Sequence, residues 1–152
     1  MPTPGPLSQA NLFHTGIVVD DLDAAKAELG ERLGVTWNEG GAEVLLVGPG
    51  GTQKSPSAYV ISREGPHHVE LCQAVPGTVW TGTAPGQAHH LGYWVDDVAT
   101  ASAELTAGGA PAVACVTVAE DVPPMCAYHR TANGLLVEVV SRGMRRFLLP
   151  DT

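Results

Sequence analysis

The sequence is poor in charge. Only 16% of its 152 residues are Asp, Glu, Lys or Arg, and eight Lys and Arg face sixteen Asp and Glu, a net charge of −8. A surface that grips nucleic acid needs clustered cations to neutralise phosphates, so nucleic acid is excluded as a partner. The one basic cluster, Arg142 with Arg145 and Arg146, is broken by Gly143 and Met144. It reads first as a solvated tail and second as a site for an anionic substrate group. Cysteine is scarce as well: Cys72, Cys115 and Cys126 are an odd number with no C-x-x-C spacing, each in or beside an apolar run. That pattern reads as buried free thiols in a reducing, cytoplasmic setting. No run of about 18 apolar residues occurs, so no membrane span is expected. The opening MPTPGP has neither the basic region nor the apolar stretch of a signal peptide, and residues 1–10 read as a flexible arm.

What is plentiful is apolar and turn-forming. Hydrophobic residues make up 44% of the chain, enough to bury a core, while 18 Gly and 12 Pro favour short elements joined by many turns.

The chain also repeats itself. From His14 it reads H-T-G-I-V-V-D-D and from His90 it reads H-L-G-Y-W-V-D-D, five of eight positions identical at an offset of 76 residues. After each acidic pair a helical pattern follows, over Leu22 to Leu33 and from Val98 to Leu105 or slightly beyond. Acidic residues at the start suit the helix dipole, and Gly34 and Gly108 suit the C-caps. Strand-like runs come next: Ala42 to Val47, Ala58 to Ser62 and His68 to Ala74, then Pro111 to Val118, Met125 to Arg130 and Leu135 to Ser141. Turn-rich loops separate them, GPGG, REGP, DVPP and TANG. The chain therefore divides into two βαβββ modules, 11–75 and 88–142, joined by a linker over 76–87 and followed by a tail over 143–152.

The repeat points to a site. Residues two apart in a strand share a face, so His14, Gly16 and Val18 face one way in the first strand and His90, Gly92 and Trp94 face the matching way in its counterpart. The last strands of the modules, HHVELCQ and LLVEVVS, each carry one carboxylate among apolar residues, Glu70 and Glu138. A strand-centre carboxylate in such company is costly to bury unless its charge is compensated. Two His and two Glu at equivalent places in two repeats are what a pseudo-twofold metal site needs. Two imidazoles and two carboxylates suit a divalent transition metal (Zn, Ni, Co, Fe(II) or Mn) better than Ca or Mg. His68 shares the parity of Glu70 and Trp94 that of His90; these two, with Tyr59 and Tyr128, are candidates to line a substrate pocket. Pleating turns His89 to the opposite face from His90, while His67 reads as a loop residue and His129 as an ordinary strand residue. Glu39 and Glu43 read as solvent-facing, with a reserve role as bases.

The tandem H-x-G-x-x-V-x-D starts and the closing N-G-L-L-V-E-V-V strand resemble the glyoxalase/bleomycin-resistance/dioxygenase group, the vicinal oxygen chelate superfamily, over about Leu12 to Arg142. The resemblance implies an α+β fold in which paired βαβββ modules form a cupped mixed sheet around a metal. Carried over residue by residue, His14, Glu70, His90 and Glu138 would be its ligands, and a homodimer is implied. The complete His/Glu/His/Glu set is most similar to the methylmalonyl-CoA epimerase and glyoxalase I branch. That branch implies proton abstraction beside the carbonyl of a small metal-chelated substrate, by an isomerase, epimerase or lyase, with Glu138 and Glu70 moving the proton. The chain departs from glyoxalase I relatives in having Lys26-Ala27-Glu28-Leu29 where many carry an aromatic pair, and it lacks an arginine set for the carboxylates of glutathione. Two other activities belong to the same resemblance. An Fe(II) extradiol-type dioxygenase would use two His and one carboxylate, leaving Glu70 a bystander. A metal-free binding or antibiotic-resistance protein would need none of the four groups.

Overall fold

In a computed structural model, which describes residues 5–82 and 84–152, each Asp-Asp pair ends a strand and starts a helix. Strand β1 (Leu12–Val19) leads into α1 (Leu22–Leu33), where the Asp21 carboxylate accepts the Ala24 N–H at 3.0 Å. Strand β5 (His90–Val95) leads into α2 (Val98–Ala107), where Asp97 accepts the Thr100 N–H at 2.9 Å. Each such cap contributes about 1 kcal/mol. Gly34 closes α1 in the left-handed conformation at φ 67°. Gly108 caps α2 at φ −82°, and the left-handed residue is the next one, Gly109.

Three strands follow each helix: β2 (Trp37–Gly48), β3 (Gly51–Ser62) and β4 (His68–Gln73), then β6 (Ala112–Thr117), β7 (Cys126–Arg130) and β8 (Leu136–Ser141). All eight join one mixed sheet in the order β1-β4-β3-β2-β6-β7-β8-β5, and the cup closes into a barrel. Within each half the first and last strands run parallel, β1 with β4 and β5 with β8. The halves meet where β1 lies antiparallel to β5 and where Leu45–Val47 of β2 pair with β6. Both modules therefore pair within one chain.

The β2–β3 hairpin is longer than the sequence suggests, pairing continuously from Trp37↔Ser62 to Gly48↔Gly51. The sequence reading loses residues 37–41 of β2, which carry Asn38, Glu39 and two glycines, and residues 51–57 of β3, where Thr52, Gln53, Lys54 and Pro56 are exposed and the buried residue is the polar Ser55. Neither stretch shows apolar alternation, which is why a sequence reading shortens both strands.

Helix α2 covers the outside of the second half, packing Val98, Ala101 and Leu105 against Val95, Ala127 and Val139. His129, fully buried in β7, ties that contact down. Its Nδ1–H donates to Ala110 O at 2.8 Å and its Nε2 accepts the Ser102 hydroxyl at 2.7 Å. Helix α1, by contrast, has no fully buried side chain. The residues after Arg142 fold back: in the short α3 (Arg145–Leu148) and just beyond it, Leu148 and Leu149 pack with Phe13, Ile61 and Trp94. Leu148 O accepts Asn38 Nδ2 at 3.0 Å. In the expected N-terminal arm, residues 1–4 lie outside the described residues, and Leu7 packs against the α2 cluster. Among the described residues no helix is long and apolar enough to cross a membrane.

Candidate metal centre

The centre lies where β4, β1, β5 and β8 run side by side. Register places Gly16 opposite both Glu70 and His90, and Gly92 opposite both His14 and Glu138. The four strands thus bring His14, Glu70, His90 and Glu138 together, each buried to within 7% exposure or less, so that all four can offer an atom within 4.8 Å of the others. His14 Nε2 lies 3.1 Å from His90 Nε2 and 3.1 Å from Glu138 Oε1. His90 Nε2 lies 3.3 Å from Glu70 Oε1 and 3.4 Å from Glu138 Oε1.

The H-x-G motif has a physical reason that the register reveals. A Cβ at Gly16 would sit 2.0 Å from His90 Cε1, and a Cβ at Gly92 would sit 1.9 Å from His14 Cε1. Each glycine vacates the space that the other module's histidine fills.

The surroundings of His90 set its tautomer. Val79 O can only accept, so the His89 Nε2 that lies 2.8 Å from it must carry the hydrogen. Neutral His89 then presents Nδ1 as an acceptor, and the His90 Nδ1 at 2.8 Å must donate to it. His90 Nε2 is left facing the cluster. His89 therefore does not turn away from the site, because β5 begins only at His90 and pleat alternation does not govern the residue before it. His14 has no such support; its Nδ1 is buried without a partner.

Each carboxylate has a thiol beside it. The Cys72 thiol, two residues on from Glu70 along β4, donates to Glu70 Oε1 at 3.0 Å, and Cys126 of β7 lies beside Glu138. Burial, reinforced by these carboxylates, pushes both thiols up, so both stay protonated. Burial would also raise Glu138, but the facing imidazoles of His14 and His90 outweigh it and hold the carboxyl well below its usual range. Glu70 is lowered in the same way, burial being outweighed chiefly by His14 and His90. Glu138 Oε1 nevertheless has no aligned hydrogen bond. Four convergent Lewis-basic atoms, one of them an orphaned carboxylate oxygen, fit a divalent transition ion with open coordination positions.

A cavity of about 240 Å³ opens onto His14, Glu70 and Glu138. Tyr59 and Tyr128 line it, as does Trp80 from the segment between the modules, whose Nε1–H donates to Tyr128 Oη at 3.0 Å. Of the pocket candidates, His68 and Trp94 are placed elsewhere. The His68 ring points inward but is held by Ser62 O at 2.7 Å, beside Gly65. Trp94 stacks on Phe13 with ring centres 3.7 Å apart. A register shift between Leu12 and His14 leaves Phe13 as the extra residue of β1, and its ring takes the space beside Trp94. Among the other candidates, Glu39 pairs with Lys26 at the surface and Glu43 is exposed; neither lines the cavity. His67 is exposed and pairs with Thr15 Oγ1. The sequence reading missed His89, Cys72 and Cys126. Only Cys72 carried a local signal, its two-residue spacing from Glu70.

Comparison with solved structures agrees with this fold. Methylmalonyl-CoA epimerase from Mycobacterium tuberculosis superposes with a TM-score of 0.60 at 18% identity, over 93% of this chain and 92% of that one. A methylmalonyl-CoA epimerase in complex with methylmalonyl-CoA and NH4+ gives 0.57 at 18% identity, over 86% and 93%. A hypothetical protein from Bacillus halodurans C-125 gives 0.56 at 15% identity, over 86% and 93%. No curated protein sequence matches the chain. The sequence profile of the Glyoxalase/Bleomycin resistance protein/Dioxygenase superfamily matches residues 13–123, which takes in β1, the first helix, three of the four site residues and β6. With the paired βαβββ modules and the site at their seam, that match makes the chain a member of the glyoxalase/bleomycin resistance protein/dioxygenase superfamily.

Proposed function

We propose that the protein is a metal-dependent isomerase, epimerase or lyase that removes a proton beside the carbonyl of a small substrate. The observation that carries this reading is the Glu138 carboxylate, buried, ionised and facing an apolar cavity beside two converging imidazoles, its Oε1 without an aligned hydrogen bond. His14, Glu70, His90 and Glu138 would hold a divalent transition ion, which when bound would supply a Lewis acid for the substrate's carbonyl oxygen. Glu138 takes the proton from the adjacent carbon and can return it to that carbon or a neighbouring atom. For delivery to the opposite face, Glu70, on the other side of the pseudo-twofold seam, must first take up a proton from solvent before the substrate closes the site. Cys72 holds Glu70 in place through its thiol hydrogen, and Cys126 packs beside Glu138. Apolar walls such as Val44, Val116 and Val140 keep water from the carbanion.

The test is hydrogen exchange at carbon. Ni- or Co-loaded protein is incubated in D2O with a panel of 2-oxo acids and β-dicarbonyl acids, and deuterium entry at the α-carbon is followed by NMR. Enzyme-dependent exchange is expected for at least one member of the panel, falling about 100-fold or more in Glu138→Gln. Oxygen uptake with ring cleavage of a catechol by the Fe(II)-loaded protein, without α-proton exchange, would assign the dioxygenase activity instead.

A further inference from the structure

The walls of the cavity narrow the substrate class, an inference that rests on the proposed function. No Lys or Arg lines it among the described residues. The basic cluster is turned away: Arg142 Nε donates to Asp96 at 2.9 Å and Arg145 Nε to Thr152 Oγ1 at 3.3 Å, and all three arginines border a separate surface depression with Leu149 and Pro150.

The polar groups that do reach the cavity are mostly committed within the protein. The Gln73 amide is spent on Leu22 N at 3.0 Å and Asp20 O at 2.8 Å. The Trp80 Nε1–H is committed to Tyr128 and the Cys72 thiol to Glu70, while the Cys126 thiol, a weak donor, lies beside Glu138. Among the described residues, the side-chain hydroxyls of Ser57, Tyr59 and Tyr128 (the last accepting from Trp80 but with its own hydrogen uncommitted) are left to meet a ligand away from the His/Glu cluster. Between them stand Val44, Ala58, Val116, Met125 and Val140. An apolar cavity of about 150 Å³ holds a benzene molecule, so 240 Å³ has room for a ring with a short substituent. A second anionic group inside would lie unpaired in apolar surroundings beside Glu70 and Glu138, on a chain of net charge −8.

We infer that the substrate is a compact molecule with an apolar or aromatic body and a single oxygen-rich head. The head is the part presented to His14, Glu70, His90 and Glu138, and the body carries no second charge. A thioester of a phosphorylated carrier does not belong to this class. Selection for the apolar body comes from the cavity walls, and selection against charge comes from the missing cation.

Three hydroxamates with one common chelating head test this on Co(II)-loaded protein, read by the visible spectrum of the bound ion. Acetohydroxamate carries no body, benzohydroxamate carries an apolar ring, and 4-carboxybenzohydroxamate carries the same ring with one charge. Benzohydroxamate is expected to bind at least about tenfold more tightly than acetohydroxamate, through burial of the ring. The carboxylated compound is expected to bind at least about tenfold more weakly than benzohydroxamate. Val118→Arg, at a cavity-lining position that is 52% exposed, is expected to recover the carboxylated compound by about fivefold. Affinities of the acetyl and benzoyl compounds within threefold of each other overturn the inference and leave the metal chemistry standing. So does a carboxylated compound that binds as well as its parent. Co(II) uptake with no spectral change from any hydroxamate overturns the proposed function, and this inference with it.

Discussion

Gly16→Ala is expected to lower metal affinity about 100-fold or more without removing any proposed ligand. The added Cβ would come within 2.0 Å of the His90 ring, and that ring cannot retreat, because His89 fixes its far nitrogen at 2.8 Å. The ring must leave its place or the β1–β5 pairing must open. Gly92→Ala should do the same to His14, with the Cβ 1.9 Å from its Cε1. Overpacking of this kind costs about 1–3 kcal/mol in stability, so both variants should still fold. Circular dichroism and thermal unfolding would establish that, and a Co(II) titration would read the affinity. Wild-type affinity in either variant would show that the ring positions described here do not hold the ion.

His89→Phe should weaken metal binding by about 10- to 100-fold, the usual cost of removing a partner that orients a ligating histidine. Phenylalanine is already the residue at the equivalent place in the first half, Phe13 preceding His14 as His89 precedes His90. The substitution therefore makes the two halves alike. It removes the acceptor for His90 Nδ1–H and leaves the ring free to take either tautomer. Gln at position 89 offers a carbonyl oxygen in place of Nδ1, so His89→Gln should lie much nearer the wild type. Equal losses in both variants would point to packing, and no loss in either would show that His90 needs no support from this side.

The four candidate ligands were legible in the sequence because the chain states them twice. His14 with Gly16 and His90 with Gly92 mark equivalent strands, and Glu70 and Glu138 are the carboxylates of two otherwise apolar closing strands. The helix starts were legible for the same reason, since Asp21 and Asp97 repeat as caps. What the sequence could not state were contacts with no periodicity behind them. His89 precedes its strand, so alternation assigned it to the wrong side. Cys126 reaches Glu138 across the β7–β8 pairing. Trp80 enters the cavity from a segment that reads as a connector. Parity alone selected Trp94 and His68, and it fails there because Phe13 takes the space beside one and a backbone carbonyl claims the other. The β2–β3 hairpin was only partly legible, since the start of β2 and the polar start of β3 are held by backbone pairing and show no apolar alternation.

Equilibrium titration of chelator-treated protein with Co(II) or Ni(II) tests the central claim most directly, with uptake and proton release followed together. Burial draws His90 down, but the hydrogen bonds and charges of Glu138 and Glu70 outweigh it, and the imidazole is pushed up to about 9. Because that lies above its free value of 6.5, protonated His90 stabilises the metal-free fold at low pH, and this contribution is lost as pH rises through about 9. Since Nδ1–H is held by His89, the proton that leaves is the one on Nε2, where the ion must bind. The expected result at pH 7.5 is one ion per chain with about one proton released from His90, and affinity that rises with pH towards 9. Uptake should be lost in His14→Ala and in Glu138→Ala. Absence of uptake at every pH, or uptake unchanged in both variants, would contradict a metal centre built from these four residues.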